Sequence, residues 1–378
     1  EFREVLAVRT ADSTRVHTLA DLRGRRVATL GATMAWDMVL AAKSAHGVVP
    51  VSYDDDVHPY TDLVSGRVDA VLLDHVLAER SRRRIGGFVI QPNALARGHY
   101  VAVLAAGDSA LRDSVNITLR ARMRDGSLER VFRSWNVWDA QQAAFQQQVL
   151  RDSVPRSETR TVDHNTATSI AKYLPVLLRA AVITLLLSVL AMALAITLGA
   201  GLAAGRVYGG RPLQMVLTAY VEIIRGTPVL LQLFVLYYGL SDVVRLPAFA
   251  AAVIGLGLNY AAYESEIYRA ALEAIPALQL EAARTLGLSE GQILRLVRGP
   301  QALRLALAPM TNDFVALLKD SSLVSVITVV ELTKQTAIYA TNAGSWALPG
   351  ALCALVYLAM SLPLSRMARR LEQRWKIA

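Results

Sequence analysis

The feature that most constrains the fold is a long apolar stretch in the middle of the chain. Residues 175–205 carry no charged side chain after Arg179. Such a stretch is long enough to cross the ~30 Å hydrocarbon core of a bilayer as one helix. Further apolar stretches follow at 213–240, 247–263, 302–330 and 346–364. The second half of the chain is therefore predicted to be an all-α membrane domain of five spanning helices.

The first part of the chain has a different pattern. Short apolar runs such as 26–30 and 68–74 are separated by glycine turns and amphipathic segments, which predicts alternating strands and helices. This alternation favours an α/β domain with a mostly parallel sheet, whose ligands bind beyond the carboxyl ends of the strands. We therefore expect an α/β domain at 1–138, a linker at 139–169 and the membrane domain at 170–378.

Composition limits the chemistry that the chain can perform. Of the 378 residues 53% are hydrophobic, and the formal charge is +9. Many arginines flank apolar segments, where they orient a chain in a bilayer, so we expect no nucleic-acid partner. Cys353 is the only cysteine and the six histidines are scattered, so neither a disulfide framework nor a metal site is expected. No Gly-rich phosphate-binding loop is present, so ATP would have to bind another chain.

A short polar stretch interrupts the membrane half. Residues 281–283 read Glu-Ala-Ala, which favours helix, and Gly287 allows a left-handed stop. Ser289 and Gln292 have the spacing of a capping box that would open a second helix. The pair of helices is too polar for lipid and too short for a domain. We therefore predict a docking loop within 270–300.

This loop resembles the Glu-Ala-Ala loop of ATP-binding-cassette importer permeases, with the polar amino-acid branch most similar. Flanking phrases at 225–228, 232–234, 263–269, 300–302 and 312–323 carry the resemblance. It implies a separate ATPase subunit that holds ATP and Mg²⁺. The coupling residues that it implies are Glu281, Ala282, Ala283, Gly287 and Pro300. Gly299 departs from the family, which usually has Leu there.

The first 138 residues resemble part of a periplasmic amino-acid-binding protein, through phrases at 22–24, 31–33, 66–74, 100–103 and 115–135. The resemblance implies that Thr33 binds the ligand carboxylate, that Gly31 shapes its turn, and that Asp74 receives the ligand ammonium. The residues alone leave alternatives open. Thr33 is also a good helix N-cap, and Asp74 could be a solvated residue at a strand end.

The resemblance covers the second lobe of such a receptor and the tail that completes its first lobe. Most of the first lobe is absent from the sequence, so this partial domain is not expected to close over a ligand alone. Either that lobe was cut away from this sequence or the receptor part is a relic. The chain starts at Glu1 without a methionine or a secretory signal, so we expect further sequence before it.

Polar residues in the fourth apolar stretch are candidates for the transport path. Ionisable groups in a bilayer are costly and usually face a bundle interior or a pathway. On this ground Asn312, Lys319 and Asp320 are expected to line the translocation path or its gate; the alternative is a structural ion pair between helices. Gly201 and Gly205 have the small-residue spacing of close helix packing.

The distribution of arginines predicts the topology. Arginines surround the 281–300 loop and the C-terminus, which places both in the cytoplasm of a bacterium and the α/β domain outside the inner membrane. We expect a membrane permease subunit of an amino-acid importer, assembled as a homodimer and not itself an enzyme. A ligand-gated channel is the alternative, but the selectivity-filter sequence it predicts is absent. A sensor is a second alternative, but no output domain follows the last span.

Overall fold

The computed structural model describes residues 1–31, 33–105, 107–151, 166–241, 243–343 and 345–374. The chain divides into two compact units, Glu1–Asp163 and His164–Ala378. The first is α/β and the second is largely helical, which confirms the predicted order of fold classes. Much of the predicted 139–169 linker lies outside the described residues.

The first unit contains a five-stranded sheet in the order β3-β2-β4-β1-β5. The strands are β1 (Phe2–Arg9), β2 (Arg26–Leu30), β3 (Val49–Tyr53), β4 (Ala70–Asp74) and β5 (Phe88–Gly98). β2 runs parallel to both β3 and β4, whereas β1 runs antiparallel to β4 and to β5. The expectation of a mostly parallel sheet is therefore right only for β2, β3 and β4. The edges of the sheet are β3 and β5, and β1 lies between β4 and β5.

Helices α1 (Met34–His46), α2 (His58–Val64) and α3 (His75–Ile85) pack against this sheet, α1 on one face and α2 and α3 on the other. The remaining helices of the unit are α4 (Ser109–Arg124), α5 (Ser127–Ser134) and α6 (Ala140–Arg151), and α4 contacts α5 and α6. Alternate side chains of β1 enter opposite apolar layers, since successive strand residues face opposite sides. Val5 packs in the layer that holds Tyr60, and Leu6 packs in the layer that holds Val39.

The second unit is built from helices. They are α7 (Thr166–Tyr208), α8 (Arg211–Gly226), α9 (Val229–Phe234), α10 (Ala248–Glu273), α11 (Ala277–Thr285), α12 (Glu290–Ile293), α13 (Gly299–Asp320), α14 (Leu332–Ala343) and α15 (Ala347–Arg374). Among the described residues, Tyr173–Tyr208 and Ala347–Arg370 are long and apolar enough to cross a membrane. A third span is added if the bent pair Arg211–Gly226 and Val229–Gly239 counts as one.

Two predicted helices differ from the structure, and one observed helix was not predicted. The second apolar stretch bends by 105° between α8 and α9, where Thr227 is extended before Pro228. Proline disfavours a helical conformation in the residue before it, which explains the break. The fourth helix ends at Asp320 instead of continuing to 330, because the chain tightens into 3₁₀ turns over Ser321–Ile327. The structure then adds α14, which apolar length did not predict.

Small residues bring α7 and α10 close together. A Cβ on Gly257 would lie 2.6 Å from Leu194, and a Cβ on Gly199 would lie 2.8 Å from Glu264. The crossing of these helices therefore needs glycine on both sides.

The predicted close helix packing is found at Gly205 and not at Gly201. No described atom lies within 4 Å of a Cβ placed on Gly201, whereas one on Gly205 would be 2.5 Å from Leu217 of α8. The residue that packs α7 closely against α10 is Gly199, two positions before Gly201. Spacing alone does not say which face of a helix meets its neighbour.

Candidate functional site

The predicted docking loop ends its first helix, α11, in a complete Schellman motif. Leu288 N donates to Ala283 O (3.2 Å) and Gly287 N donates to Arg284 O (2.9 Å). Gly287 has φ +80°, in the left-handed region that glycine enters without steric cost. The prediction of a left-handed stop at Gly287 is confirmed, and the turn has a defined geometry.

The second helix of the loop, α12, begins with the predicted capping box. Gln292 Oε1 accepts from Ser289 N (2.9 Å), and Ser289 Oγ accepts from Gln292 N (3.4 Å). Arg284 on α11 reaches across the turn to Glu290 on α12 at 2.6 Å. This contact raises the pKa of Arg284 and lowers the pKa of Glu290. The two short helices are thus held together by the backbone hydrogen bonds of the turn, the capping box and the ion pair between Arg284 and Glu290.

The structure presents most of the predicted coupling residues to solvent. Glu281, Ala282, Gly287 and Pro300 are exposed, whereas Ala283 is buried. Pro300 is the second residue of α13, and its missing N–H falls where the wide helical turn over Leu294–Arg298 passes into α-helix.

Three leucines of the same loop are also exposed. Leu278 is 76%, Leu286 81% and Leu296 62% exposed. Apolar side chains grouped on an otherwise polar surface mark an interaction site. Sequence reasoning did not single them out, because a leucine in an amphipathic helix ordinarily faces the core.

The departure at Gly299 has a local explanation. The chain takes one wide helical turn over Leu294–Arg298 before α13 begins. A Cβ on Gly299 would lie 2.5 Å from Leu294 O. A leucine at 299 would therefore not fit this turn without a shift of the backbone.

Arg298 ties the base of the loop to two long helices. Its Nε donates to Leu272 O of α10 (2.8 Å), and its guanidinium donates to the Tyr208 hydroxyl at the end of α7 (2.9 Å). The guanidinium also lies over the Tyr208 ring, 5.5 Å from the centroid. Sequence reasoning gave Arg298 no role of its own, since its partners are distant in sequence.

A second set of charged residues joins the same helix ends. Arg206 of α7 contacts Glu266 of α10 at 2.5 Å, with side chains 9% and 20% exposed. Glu266 also accepts from Arg269 at 2.7 Å, and Arg206 Nε donates to Thr218 of α8 at 3.3 Å. These contacts make α7, α8 and α10 one connected unit near the loop.

In the α/β unit the predicted solute residues share one sheet edge. Gly31 and Thr33 follow β2, and Asp74 ends β4. β2 and β4 are parallel neighbours, so their carboxyl ends lie at the same edge. Gly31 N donates to Tyr53 O (3.2 Å), which fixes the turn against the end of β3.

Thr33 and Asp74 both cap helices at this edge. Thr33 Oγ1 accepts from Trp36 N (3.2 Å) at the start of α1, so the N-cap alternative describes its observed contacts. Asp74 Oδ1 accepts from Val76 N (2.8 Å) and Leu77 N (3.1 Å) at the start of α3. Asp74 is half-buried, not freely solvated.

Two further residues contact or face Asp74. The Tyr100 hydroxyl donates to Asp74 Oδ2. Glu4 of β1 is the register partner of Asp74 and is only 4% exposed. Burial and the charge of Asp74 raise the pKa of Glu4 to about 7. Sequence reasoning missed Glu4, because a glutamate near the start of a strand is ordinarily solvated.

The predicted path residues lie at the C-terminal part of α13. Asn312 and Lys319 are exposed, and Asp320 is half-buried and accepts from the Tyr260 hydroxyl of α10 at 2.8 Å. No ion pair among the described residues includes Lys319 or Asp320. The structure therefore offers no support for the alternative of a structural ion pair at these two residues.

Comparison with known proteins gives the family. Residues 195–377 match the family described as "Binding-protein-dependent transport system inner membrane component". The glutamine transport system permease protein GlnP of Escherichia coli (strain K12) is 38% identical over 208 residues, which are 54% of this chain and 94% of that protein. The probable glutamine ABC transporter permease protein GlnM of Bacillus subtilis (strain 168) is 35% identical over 192 residues, 50% of this chain and 89% of its own.

Solved structures are similar to parts of the chain. A crystal structure of an amino acid ABC transporter with histidines is 36% identical, with a TM-score of 0.52, and covers 57% of this chain and 99% of that chain. An ancestral arginine-binding protein bound to arginine is 25% identical, with a TM-score of 0.32, and covers 36% of this chain and 60% of its own.

The fold and the loop define a membrane subunit of a solute importer, and the relatives agree. The chain belongs to the family of binding-protein-dependent transport system inner membrane components. It is a permease subunit of an ATP-binding-cassette importer, in which a separate subunit hydrolyses ATP, so it is not itself an enzyme. The predicted family is confirmed, and the channel alternative is set aside.

Proposed function

We propose that this chain imports amino acids or similar polar solutes as one of two identical membrane subunits. A separate ATPase, which binds ATP and Mg²⁺, docks on the loop at 281–300. The observation that carries this proposal is the loop itself, with its Schellman turn at Gly287 and its capping box at Ser289. The relatives named for glutamine and the amino acid transporter structure support the substrate class.

The loop is connected to the helices that would have to move. Closure of the ATPase subunits displaces α11 and α12, and Arg298 passes the displacement to the ends of α7 and α10. α10 also holds α13 through Tyr260 and Asp320. A gate formed by Asn312, Lys319 and Asp320 lies on that helix. Alternating access follows if these contacts shift together.

The proposed orientation places the loop and the C-terminus in the cytoplasm of a bacterium. The arginines around the loop and after 365 support this, since cytoplasmic segments are enriched in Lys and Arg. Five spans in the inner membrane then put the α/β unit outside. The bent α8–α9 segment would be the second of these spans.

In this arrangement the α/β unit receives the solute. Thr33 and the N–H groups at the start of α1 would hold the carboxylate, with Gly31 shaping the turn, and Asp74 would hold the ammonium. The shared sheet edge supports this assignment. A zwitterion needs donors and an anion set apart from each other, and both contacts are charge-assisted.

Co-purification with the ATPase encoded alongside the chain tests the coupling site. We expect wild type and Glu281→Gln to retain the ATPase, because the amide keeps the size and helix preference of the side chain. Glu281→Lys should lose it, since the exposed side chain reverses its charge without losing a contact that holds the fold. Equal retention of the ATPase by Glu281→Lys and wild type would remove Glu281 from the interface. A failure of wild type to bind any ATPase would overturn the proposed coupling.

A further inference from the structure

A second carboxylate lies beside Asp74 at the solute edge, the edge of the sheet that is formed by the carboxyl ends of β2 and β4. Glu4 and Asp74 are directly opposite in the antiparallel β1–β4 pair. Side chains of opposite residues project from the same face, with Cβ atoms roughly 5 Å apart. Glu4 Oε2 is buried and accepts no hydrogen bond within the described part of the chain. A buried acceptor without a donor is costly, so this oxygen indicates a donor that comes from a ligand.

Tyr100 supplies a displaceable donor to the other carboxylate. Its hydroxyl donates to Asp74 Oδ2, while 62% of the residue is exposed. Its ring contacts Phe2 with centroids 4.8 Å apart. An exposed tyrosine beyond the end of β5 can swing away without disturbing the sheet. Asp74 Oδ2 therefore becomes available to a stronger donor.

We propose that Glu4 and Asp74 together bind the ammonium group of the solute, which displaces Tyr100 from Asp74 as it enters. The inference rests on the receptor role proposed above for this edge. An ammonium group has three N–H donors, and two adjacent carboxylates give it charge-assisted acceptors. The substrate class is then amino acids and amines with a free ammonium group. N-acylated and purely anionic solutes are excluded by the two negative charges.

Binding of an ammonium group by Glu4 is coupled to the release of a proton. The pKa of Glu4 is raised to about 7 by burial and by Asp74, so near neutral pH a fraction of Glu4 is protonated. The titratable groups on neighbouring elements are Asp74 on β4, Tyr60 on α2, His75 on α3 and Tyr100 beyond β5. Burial raises the pKa of both tyrosines and lowers that of His75, so these three remain neutral. An arriving ammonium group requires ionised Glu4, which releases its proton to solvent.

Calorimetry on the purified full chain in lipid nanodiscs tests this directly, with each of the twenty amino acids as a probe. For an amino acid that binds, we expect release of roughly half a proton at pH 7, measured by comparing phosphate and Tris buffers. Affinity should rise about tenfold from pH 6 to pH 8, as the ionised fraction of Glu4 rises. The N-acetyl derivative of the same amino acid should not bind.

Substitutions test whether Glu4 itself binds the ligand or whether any loss of negative charge weakens binding. Glu4→Gln should abolish proton release and weaken binding about tenfold or more. Asp113→Asn, which removes an exposed carboxylate on α4, is the matched control and should bind like wild type. Tyr100→Phe should tighten binding a few-fold, because nothing then competes for Asp74 Oδ2.

The outcomes distinguish this inference from the receptor role. If wild type binds an amino acid without proton release, and Glu4→Gln binds it equally well, the shared carboxylate site is wrong and the receptor role stands. If Tyr100→Phe does not tighten binding, Tyr100 does not compete with the ligand. If wild type binds none of the twenty amino acids, the receptor role fails and the inference fails with it.

Discussion

Gly287 has a backbone conformation that decides the geometry of the docking loop. Its φ of +80° lets the chain reverse between α11 and α12. A Cβ at this position would meet no described atom within 4 Å, so a substitution there acts through backbone strain and not through a clash. Substitutions at Gly287 therefore test the backbone conformation without the added effect of a steric clash.

We predict that Gly287→Val weakens ATPase binding, because a β-branched residue in the left-handed region costs about 1–2 kcal/mol. Gly287→Asn is the matched control, since asparagine tolerates that region better. Titration of the nanodisc-bound chain with its ATPase should show roughly a tenfold loss of affinity for valine and a smaller one for asparagine. Equal binding by both variants would show that the turn adapts.

Glu4 makes the stability of the α/β unit depend on pH. Its pKa is raised from 4.5 to about 7 in the folded chain. A carboxyl whose folded pKa is raised contributes stability that is fully present below the unfolded pKa and is lost as pH rises through the folded pKa. The free energy of unfolding should therefore fall by up to about 3 kcal/mol between pH 5 and pH 8.

Thermal unfolding followed by tryptophan fluorescence checks this, since Trp36, Trp135 and Trp138 lie in the α/β unit. Glu4→Gln should remove most of the loss of stability between pH 5 and pH 8. A variant that loses stability with pH as steeply as wild type would assign the pH dependence to another group.

For individual residues, the sequence predicted the features that depend on local chain geometry. Gly287 and the Ser289–Gln292 box were predictable because each works through neighbours within a few residues. Glu4 and Arg298 were not, because their partners are Asp74 and Tyr208, far away in the chain. Such pairings exist only once the sheet and the helix bundle have formed.

Among the contacts between elements, those of Arg298 connect the docking loop to the long helices, so that movement of the loop would move these helices. It joins the start of α13 to the ends of α7 and α10 through a carbonyl and a tyrosine hydroxyl. Hydrogen bonds from a charged donor contribute roughly 1.5–3 kcal/mol each. The loop would otherwise be held to these helices mainly by apolar contacts around Leu272 and Ala302.

We predict that Arg298→Leu uncouples hydrolysis from transport without abolishing ATPase binding. The solute moved per ATP hydrolysed should fall several-fold, because the loop moves without carrying α7 and α10. Tyr208→Phe removes one of the two contacts and should give a smaller loss. Simultaneous assay of uptake and phosphate release measures the ratio. An unchanged ratio in Arg298→Leu would assign the coupling to other contacts.

The Arg206–Glu266 pair is predicted to hold α7 and α10 together. Removing Arg206 leaves Glu266 with Arg269 as its remaining partner. The cost should therefore lie below the ~3–5 kcal/mol of breaking a fully buried pair from one side. We expect Arg206→Met to lower the thermal stability of the helical unit. Arg206→Lys, which keeps the charge, should recover part of the loss, which scanning fluorimetry can follow. Equal losses in the methionine and lysine variants would mean that the charge at 206 is not the stabilising feature.

The length of an apolar stretch does not predict where every helix begins and ends. Hydropathy located α7 and α15, which are long and uninterrupted. It did not show the bend at Pro228, the end of α13 at Asp320 or the short helix α14. Each depends on which polar groups find partners in the bundle, such as Glu331, which accepts from the first N–H groups of α14.

For the whole molecule, the class of protein was predictable and the sheet topology only partly so. A charge-free stretch that crosses a bilayer and a polar loop between such stretches are properties of composition and order, which need no tertiary contact. The antiparallel pairing of β1 with β4 and β5, on one side of the parallel strands, is a long-range arrangement. The solute edge was predictable from the resemblance, whereas the carboxylate pair at that edge was not.

The function proposed for this chain is solute import driven by ATP hydrolysis. The most direct measurement is uptake of a radiolabelled amino acid that binds the chain, into proteoliposomes that contain the chain and its ATPase with ATP on the loop side. We expect accumulation above the external concentration with wild type and Glu281→Gln, and none with Glu281→Lys. Accumulation should also stop when ATP is replaced by a non-hydrolysable analogue. Equilibration of the amino acid without ATP, or an ion current across the same membranes, would contradict ATP-driven import and indicate a channel.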